Sequence, residues 1–162
     1  MHRFPGVRLV IAGDGPARPD LERQARLLNI RSAVDFLGWI NPSKVTSVMN
    51  NATIVIMPSR SESLPLVALE AAMMARPVVA ARVGGLPEVV VHNETGLLVE
   101  QENSSALAEA IEFLLDHPET TIEMGQAARC RAQEVFSLEK FIDAYDKLYL
   151  KLIEQPTTRI KS

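Results

Sequence analysis

Cysteine is almost missing from this chain: Cys130 stands alone in 162 residues, so no disulfide can form within it, which fits a reducing cytoplasm. Long hydrophobic runs are missing as well, and none approaches the ~20 residues that a membrane span needs. The apolar burst after Met1-His2-Arg3-Phe4-Pro5-Gly6 stops at Gly13-Asp14-Gly15, too short and wrongly flanked for a signal peptide. Basic charge has no excess, since 17 Lys and Arg against 20 Asp and Glu leave −3. That balance offers no footprint for nucleic acid or an anionic membrane. Glycine (8) and proline (10) are too few and scattered for a collagen-like or low-complexity chain. A hydrophobic content of 47% with 23% charged residues excludes wholesale disorder. The length suits one domain of roughly 100–200 residues. We read residues 1–154 as that domain and the tail 155–162 as frayed.

What is present is an alternation. Short apolar runs occur at Val7–Ala12, Val34–Leu37, Ile54–Met57, Pro77–Ala81 and Gly96–Val99. They lack an in/out rhythm, as strands covered on both faces do. Helical stretches lie between them at about 18–29, 42–50, 65–75, 85–91 and 104–116. The order predicts an α/β fold, an open, doubly wound (Rossmann-like) parallel sheet between helices. Further on, 119–132 has a helical pattern, and Ser137 is placed to cap another helix. There Phe141, Tyr145, Leu148 and Leu152 form a stripe on one face, expected to cover the domain's own sheet.

Ligands of open parallel sheets gather at the carboxyl ends of the strands, beside helix N-termini. Small and polar residues stand there: Gly13-Asp14-Gly15-Pro16, Gly38-Trp39, Ser59 to Ser63, and Arg82-Val83-Gly84-Gly85. Taken singly, each is an ordinary strand-to-helix turn. The segment Leu64 to Ala75 adds weight, because it carries a single charge, Glu70. A helix apolar all round is expected to be buried, and a carboxylate inside it must meet donors, a ligand or an Arg. Pro65 at the first helical position would leave first-turn N–H groups aimed at the preceding loop, a site suited to phosphate. Glu62 precedes Glu70 by eight residues. Amides for a diphosphate, one acid for ribose hydroxyls and one for a sugar make a consistent set.

The stretch Pro58 to Val99, PSRSESLPLVALEAAMMARPVVAARVGGLPEVVVHNETGLLV, resembles the donor-binding core of retaining glycosyltransferases of family four, with the GT-B fold. Glu62 and Glu70 match that family's Glu-x7-Glu motif, while VRLVIAGDGP, VDFLGW and the helix start at Ser104 extend the likeness over about 5–150. The resemblance implies that Glu70 holds the ribose and that Glu62, the catalytic-site acid, contacts the transferred sugar or orients its phosphate. It places the amides of Leu64, Leu66 and Val67 at the diphosphate, with Ser63 among the donor-binding residues, Gly13 and Gly15 under the nucleotide, and Gly38-Trp39-Ile40 beside the base. Gly84, Gly85 and Glu88 match a segment near the cleft, and Arg60 and Arg82 are the basic residues close by. Ser63-Leu64-Pro65 stands where many members read Gly-Phe-Gly, so Pro65 removes one donor.

The family's donor half opens with a strand, a Gly-Arg turn, a Lys-Gly and a helix. This sequence corresponds to the part of that half beyond its first helix, which implies a chain without those two cations and without the acceptor-binding half, inactive alone. In the order 3-2-1-4-5-6 the missing strand would be central. Its loss would expose two edges or make the strands at Val7 and Ile54 pair, and exposed edges invite homo-oligomers. The expected ligand is a nucleotide-diphosphate sugar, with neither metal nor other cofactor. The missing half would be a preceding domain or a partner chain. A stand-alone subunit of a split transferase and a sugar-nucleotide 2-epimerase-like domain are the alternatives. A dehydrogenase is disfavoured, since Arg18 breaks Gly-x-Gly-x-x-Gly. Trp39 can stack on a base or pack. Asp14 suits a turn, His92 suits another, and Cys130 suits packing.

Overall fold

The computed structural model describes residues 3–154. The expectation for the tail 155–162 lies outside them. Packing divides the chain into two compact units, Met1–Ser47 and Val48–Ser162.

In the first unit, β1 (Leu9–Ala12) and β2 (Val34–Gly38) flank α1 (Arg18–Leu27) and a single 3-10 turn, and α2 (Pro42–Asn50) begins here. The strands run parallel, with Leu9 opposite Val34 and Ala12 opposite Gly38. Arg8 grips Asp35 through two hydrogen bonds of 2.9 and 2.7 Å. Only one side of β1 is sheltered. Leu9 and Ile11 are half-buried while Val10 and Ala12 face out. The run VRLVIA reads in sequence as covered on both faces, and the alternation corrects that.

The second unit contains β3 (Val55–Met57), α3 (Leu66–Met73), β4 (Val78–Ala81), α4 (Leu86–Val89), β5 (Gly96–Val99), α5 (Ser104–Asp116), α6 (Pro118–Val135) and α7 (Leu138–Glu154). Strands β3, β4 and β5 pair in parallel with β4 in the middle, Val55 opposite Val78 and Val78 opposite Gly96. All four residues of β4 are buried, as its unbroken apolar run requires. Val79 and Leu97 meet Leu114 of α5 and Met124 of α6 in the core. The side chain of Asn103 accepts from the Ala106 amide at 2.9 Å and caps α5. Buried Thr121 donates to the Leu114 carbonyl at 2.6 Å, tying α6 to the end of α5.

The parallel α/β reading is thus what the chain adopts. Among the described residues β1 pairs with β2 in the first unit, and β3, β4 and β5 pair in the second. The last helix departs from expectation. Ser137 Oγ accepts from the Lys140 amide at 3.3 Å, in keeping with an N-cap. The stripe on α7, however, is not buried: Phe141, Tyr145, Leu148 and Leu152 are each about half exposed, and α7 has no buried residue.

Candidate functional site

The carboxyl ends of β3 and β4 lie side by side in the second unit, because Met57 pairs with Ala80. The loop after β3 runs through Ser59, Arg60, Ser61, Glu62 and Ser63 to α3, and the loop after β4 through Arg82 to Gly85. They touch. The Gly85 amide donates to the Glu62 carbonyl oxygen at 2.9 Å. Gly84 holds φ +50°, and a Cβ there would overlap that same oxygen. A Cβ on Gly85 would stand 2.7 Å from the Ser63 carbonyl oxygen and 3.1 Å from Pro65 Cδ. Two glycines in succession are therefore a steric condition for this seat.

At the start of α3 the structure modifies the phosphate-site expectation. Pro65 is the N-cap residue, with φ −79° and ψ 64°, and the first helical residue is Leu66. The Leu66 amide turns back to the Leu64 carbonyl at 2.8 Å, while those of Ala68 and Leu69 both reach the Pro65 carbonyl. The Leu66 N–H expected at a diphosphate is thus engaged internally. Leu64 and Val67 keep N–H groups without a backbone acceptor among the described residues, and both side chains are exposed.

Glu70 is exposed, not embedded in apolar surroundings as the sequence suggests. The reason lies in which residues α3 buries. Ala68, Ala71 and Ala72 face inward, and Ala72 packs on Ala128 and Ala132 of α6. Small side chains let two helices approach closely, so the larger Leu66, Val67 and Met73 share the outer face with Glu70. A composition apolar all round does not here mean burial all round. Glu62 is half-buried between exposed Ser61 and Ser63. Neither acid forms an ion pair among the described residues, so the alternative of a buried Arg partner for Glu70 falls away.

The nearby cations are occupied or distant. Arg60 pairs with Glu102 at 2.8 Å, and its carbonyl accepts from Gln101 at 3.2 Å. Arg82 stands 3.9 Å from Glu100, at the limit of an ion pair. The Glu88 side chain is exposed, and its carbonyl accepts from Arg131 at 2.9 Å. A cavity of about 160 Å³ opens beside Pro58, Ala81, Val99 and Asn103, with neither Glu62 nor Glu70 on its wall. His92 serves its turn: Nδ1 accepts from the Leu98 amide at 3.0 Å. Cys130 is exposed, not the packing residue expected. Among the described residues no group of three or more His, Cys, Asp or Glu is arranged to hold a metal ion.

In the first unit, Gly13, Gly15, Gly38 and Trp39 come together at the carboxyl ends of β1 and β2. The Gly13 amide donates to the Gly38 carbonyl at 2.8 Å, with φ +129° at Gly13 and +66° at Gly38. The Asp14 side chain accepts from the Gly15 amide at 2.8 Å, which is the turn role. It also accepts from Arg18 at 3.0 Å. Arg18 binds Glu22 at 3.0 Å too, and these two hydrogen bonds, that to Glu22 first, raise the guanidinium pKa above its usual value. Sequence reasoning treats Arg18 only as a break in a glycine motif and misses this clamp; an i, i+4 acid on each side of it is the signal. Trp39 is 75% exposed, so packing does not account for it. A depression of about 500 Å³ beside Arg26, Asn29 and Arg31 lies toward the other end of β2.

Residues 1–131 match the glycosyl transferases group 1 family. The chain belongs to that family. Among its relatives, a D-inositol 3-phosphate glycosyltransferase of Corynebacterium glutamicum is 45% identical over 75% of this chain and 30% of its own length. An alpha-D-kanosaminyltransferase of Streptomyces kanamyceticus is 34% identical over 90% of this chain and 38% of its own. The chain therefore spans about a third of the length of the curated relatives it matches. Its fold matches solved GT-B glycosyltransferases. A sucrose-phosphate synthase from Thermosynechococcus elongatus superposes with a TM-score of 0.83 at 32% identity, over 93% of this chain and 40% of that one. Anabaena HepE in complex with UDP-glucose gives 0.82 at 25% identity, over 91% and 42%. Among the described residues of this group 1 chain, no helix is long and apolar enough to cross a membrane.

Proposed function

We propose that this chain is the donor-binding half of a retaining, nucleotide-sugar-dependent hexosyltransferase working in the cytoplasm. The observation that carries the reading is the meeting of the Glu62 loop with Gly84 and Gly85 directly ahead of α3. That junction leaves the Leu64 and Val67 N–H groups available to an anion, with Glu70 solvent-facing about one turn further on. An exposed Glu70 suits the role better than a buried one, since ribose hydroxyls must reach it to donate.

In the reaction the bond between the anomeric carbon and the diphosphate oxygen breaks, its electron pair leaving with the phosphate. The acceptor hydroxyl oxygen bonds to that carbon on the same face, and its proton passes to the departing phosphate oxygen. Amides at the start of α3 oppose the developing phosphate charge. Glu62 orients the sugar hydroxyls, and Glu70 orients the ribose. Arg60 and Arg82 are engaged with Glu102 and Glu100, so further positive charge is assigned to the remainder of a full-length transferase, as is acceptor choice.

Calorimetry of the chain with UDP-, GDP- and ADP-glucose tests the proposal. One nucleotide family should bind in the micromolar to millimolar range, and Glu70→Ala should weaken it at least tenfold. Equal binding by the parent and Glu70→Ala overturns the ribose assignment, and no binding of any nucleotide overturns the reading.

A further inference from the structure

We infer that Gly84 and Gly85 are positioning residues that set Glu62 against the transferred sugar, and not groups that contact the nucleotide themselves. The inference rests on the donor-binding reading and assigns a division of labour within it. The Glu62 loop has no regular structure between β3 and α3, so something else must fix its course. Gly85 provides a hydrogen bond of 2.9 Å to the Glu62 carbonyl. That donor is thereby occupied and unavailable to a phosphate. Helix α4, next in the chain, is four residues long and offers no anion site of its own.

The anchor itself is rigid. It leaves β4, whose residues are all buried, and runs into Leu86, which is completely buried. Backbone seated on backbone at Gly84 leaves no space between the two loops, and any side chain there would overlap the Glu62 carbonyl oxygen. The positive φ of Gly84 adds a second reason for glycine. Moving the clasp moves Glu62, whereas Glu70 is held separately, by the packing of α3 on α6. A displacement of about 1 Å at a reacting group can cost on the order of a hundredfold. Damage to the clasp should therefore fall on recognition of the sugar and spare that of the nucleotide.

The test is the ratio of dissociation constants for UDP and UDP-glucose, with the GDP or ADP pair substituted if calorimetry selects one of those. In the parent this ratio reads what the sugar contributes. Glu62→Ala should change it at least fivefold. Gly84→Ala should change it to the same value, with UDP affinity within twofold of the parent and no further change in the double variant. Gly85→Ala, whose added methyl would press on the Ser63 carbonyl oxygen and Pro65 Cδ at 2.7 and 3.1 Å, should move the ratio in the same direction while also weakening UDP, and its ratio alone is read if Gly84→Ala does not fold. Thr121→Val, which loses the buried hydrogen bond to the Leu114 carbonyl, should keep the parental ratio, which separates positioning from general loss of stability. An unchanged ratio in the glycine variants while Glu62→Ala alters it overturns the inference and leaves the donor reading standing. An unchanged ratio in Glu62→Ala overturns the Glu62 assignment, and the inference with it.

Discussion

Gly125 of α6 lies against the carbonyl oxygen of Ala75, so closely that a Cβ on Gly125 would overlap that oxygen. Ala75 ends the segment that begins with α3 and sits at φ +54°, and its amide bonds back to the Ala72 carbonyl at 2.8 Å. The two helices that orient Glu70 are thus joined at a point where no side chain fits. Gly125→Ala should lower stability by about 1–3 kcal/mol through overpacking. Urea unfolding with an unchanged m-value would show it, and an unaltered midpoint would contradict the contact.

Glu70 supports the opposite prediction. Its exposure and its lack of an ion pair among the described residues mean that Glu70→Ala should shift stability by no more than about 0.5 kcal/mol. Nucleotide binding should nevertheless fall at least tenfold. A large loss of stability in this variant would show a structural acid.

Much of the fold is legible because strand burial is written as composition. Val78 to Ala81 reads as covered on both faces and is, and the run Gly96 to Val99 has the bounds of the strand itself. What escapes is the direction in which an apolar helix faces. Leu66, Glu70 and Met73 do share one side of α3, as the helical period dictates, but the alanines take the interior because close helix approach favours small residues. The Gly84-Gly85 pair announces a tight approach without naming its partner, since a glycine in sequence records the absence of a side chain and not what fills the space.

The ion pair of Arg8 with Asp35 yields a pH prediction. Its hydrogen bond, more than the simple attraction of the charges, holds the Asp35 carboxyl below the usual carboxylate range. A folded-state pKa lower than the unfolded one, about 3.9, stabilises the fold above that pH. The contribution disappears as pH falls through the lowered value, when both states are protonated. NMR titration should find the Asp35 carboxyl depressed, and Arg8→Ala should return it toward the ordinary value. Because the pair is exposed, added salt should reduce the effect. A normal titration in the parent would refute the pairing.

The outer face of α7 gives the most direct choice between a sequence expectation and the fold. Had Phe141, Tyr145, Leu148 and Leu152 covered a sheet, truncating two of them would remove several kcal/mol, as large-to-small changes in cores do at about 2–5 kcal/mol each. They are instead about half exposed, with the Tyr145 ring tilted against those of its own helix neighbours Phe141 and Tyr149. Such a face makes contact with water over apolar area that folding does not remove. The double variant Phe141→Ser with Leu148→Ser should therefore lower the unfolding free energy in urea by no more than about 2 kcal/mol, the share that half burial of two such side chains supplies. Binding of a hydrophobic dye by the folded chain should drop in the same variant. A loss of more than about 4 kcal/mol would restore the reading in which α7 packs on the core of its own unit.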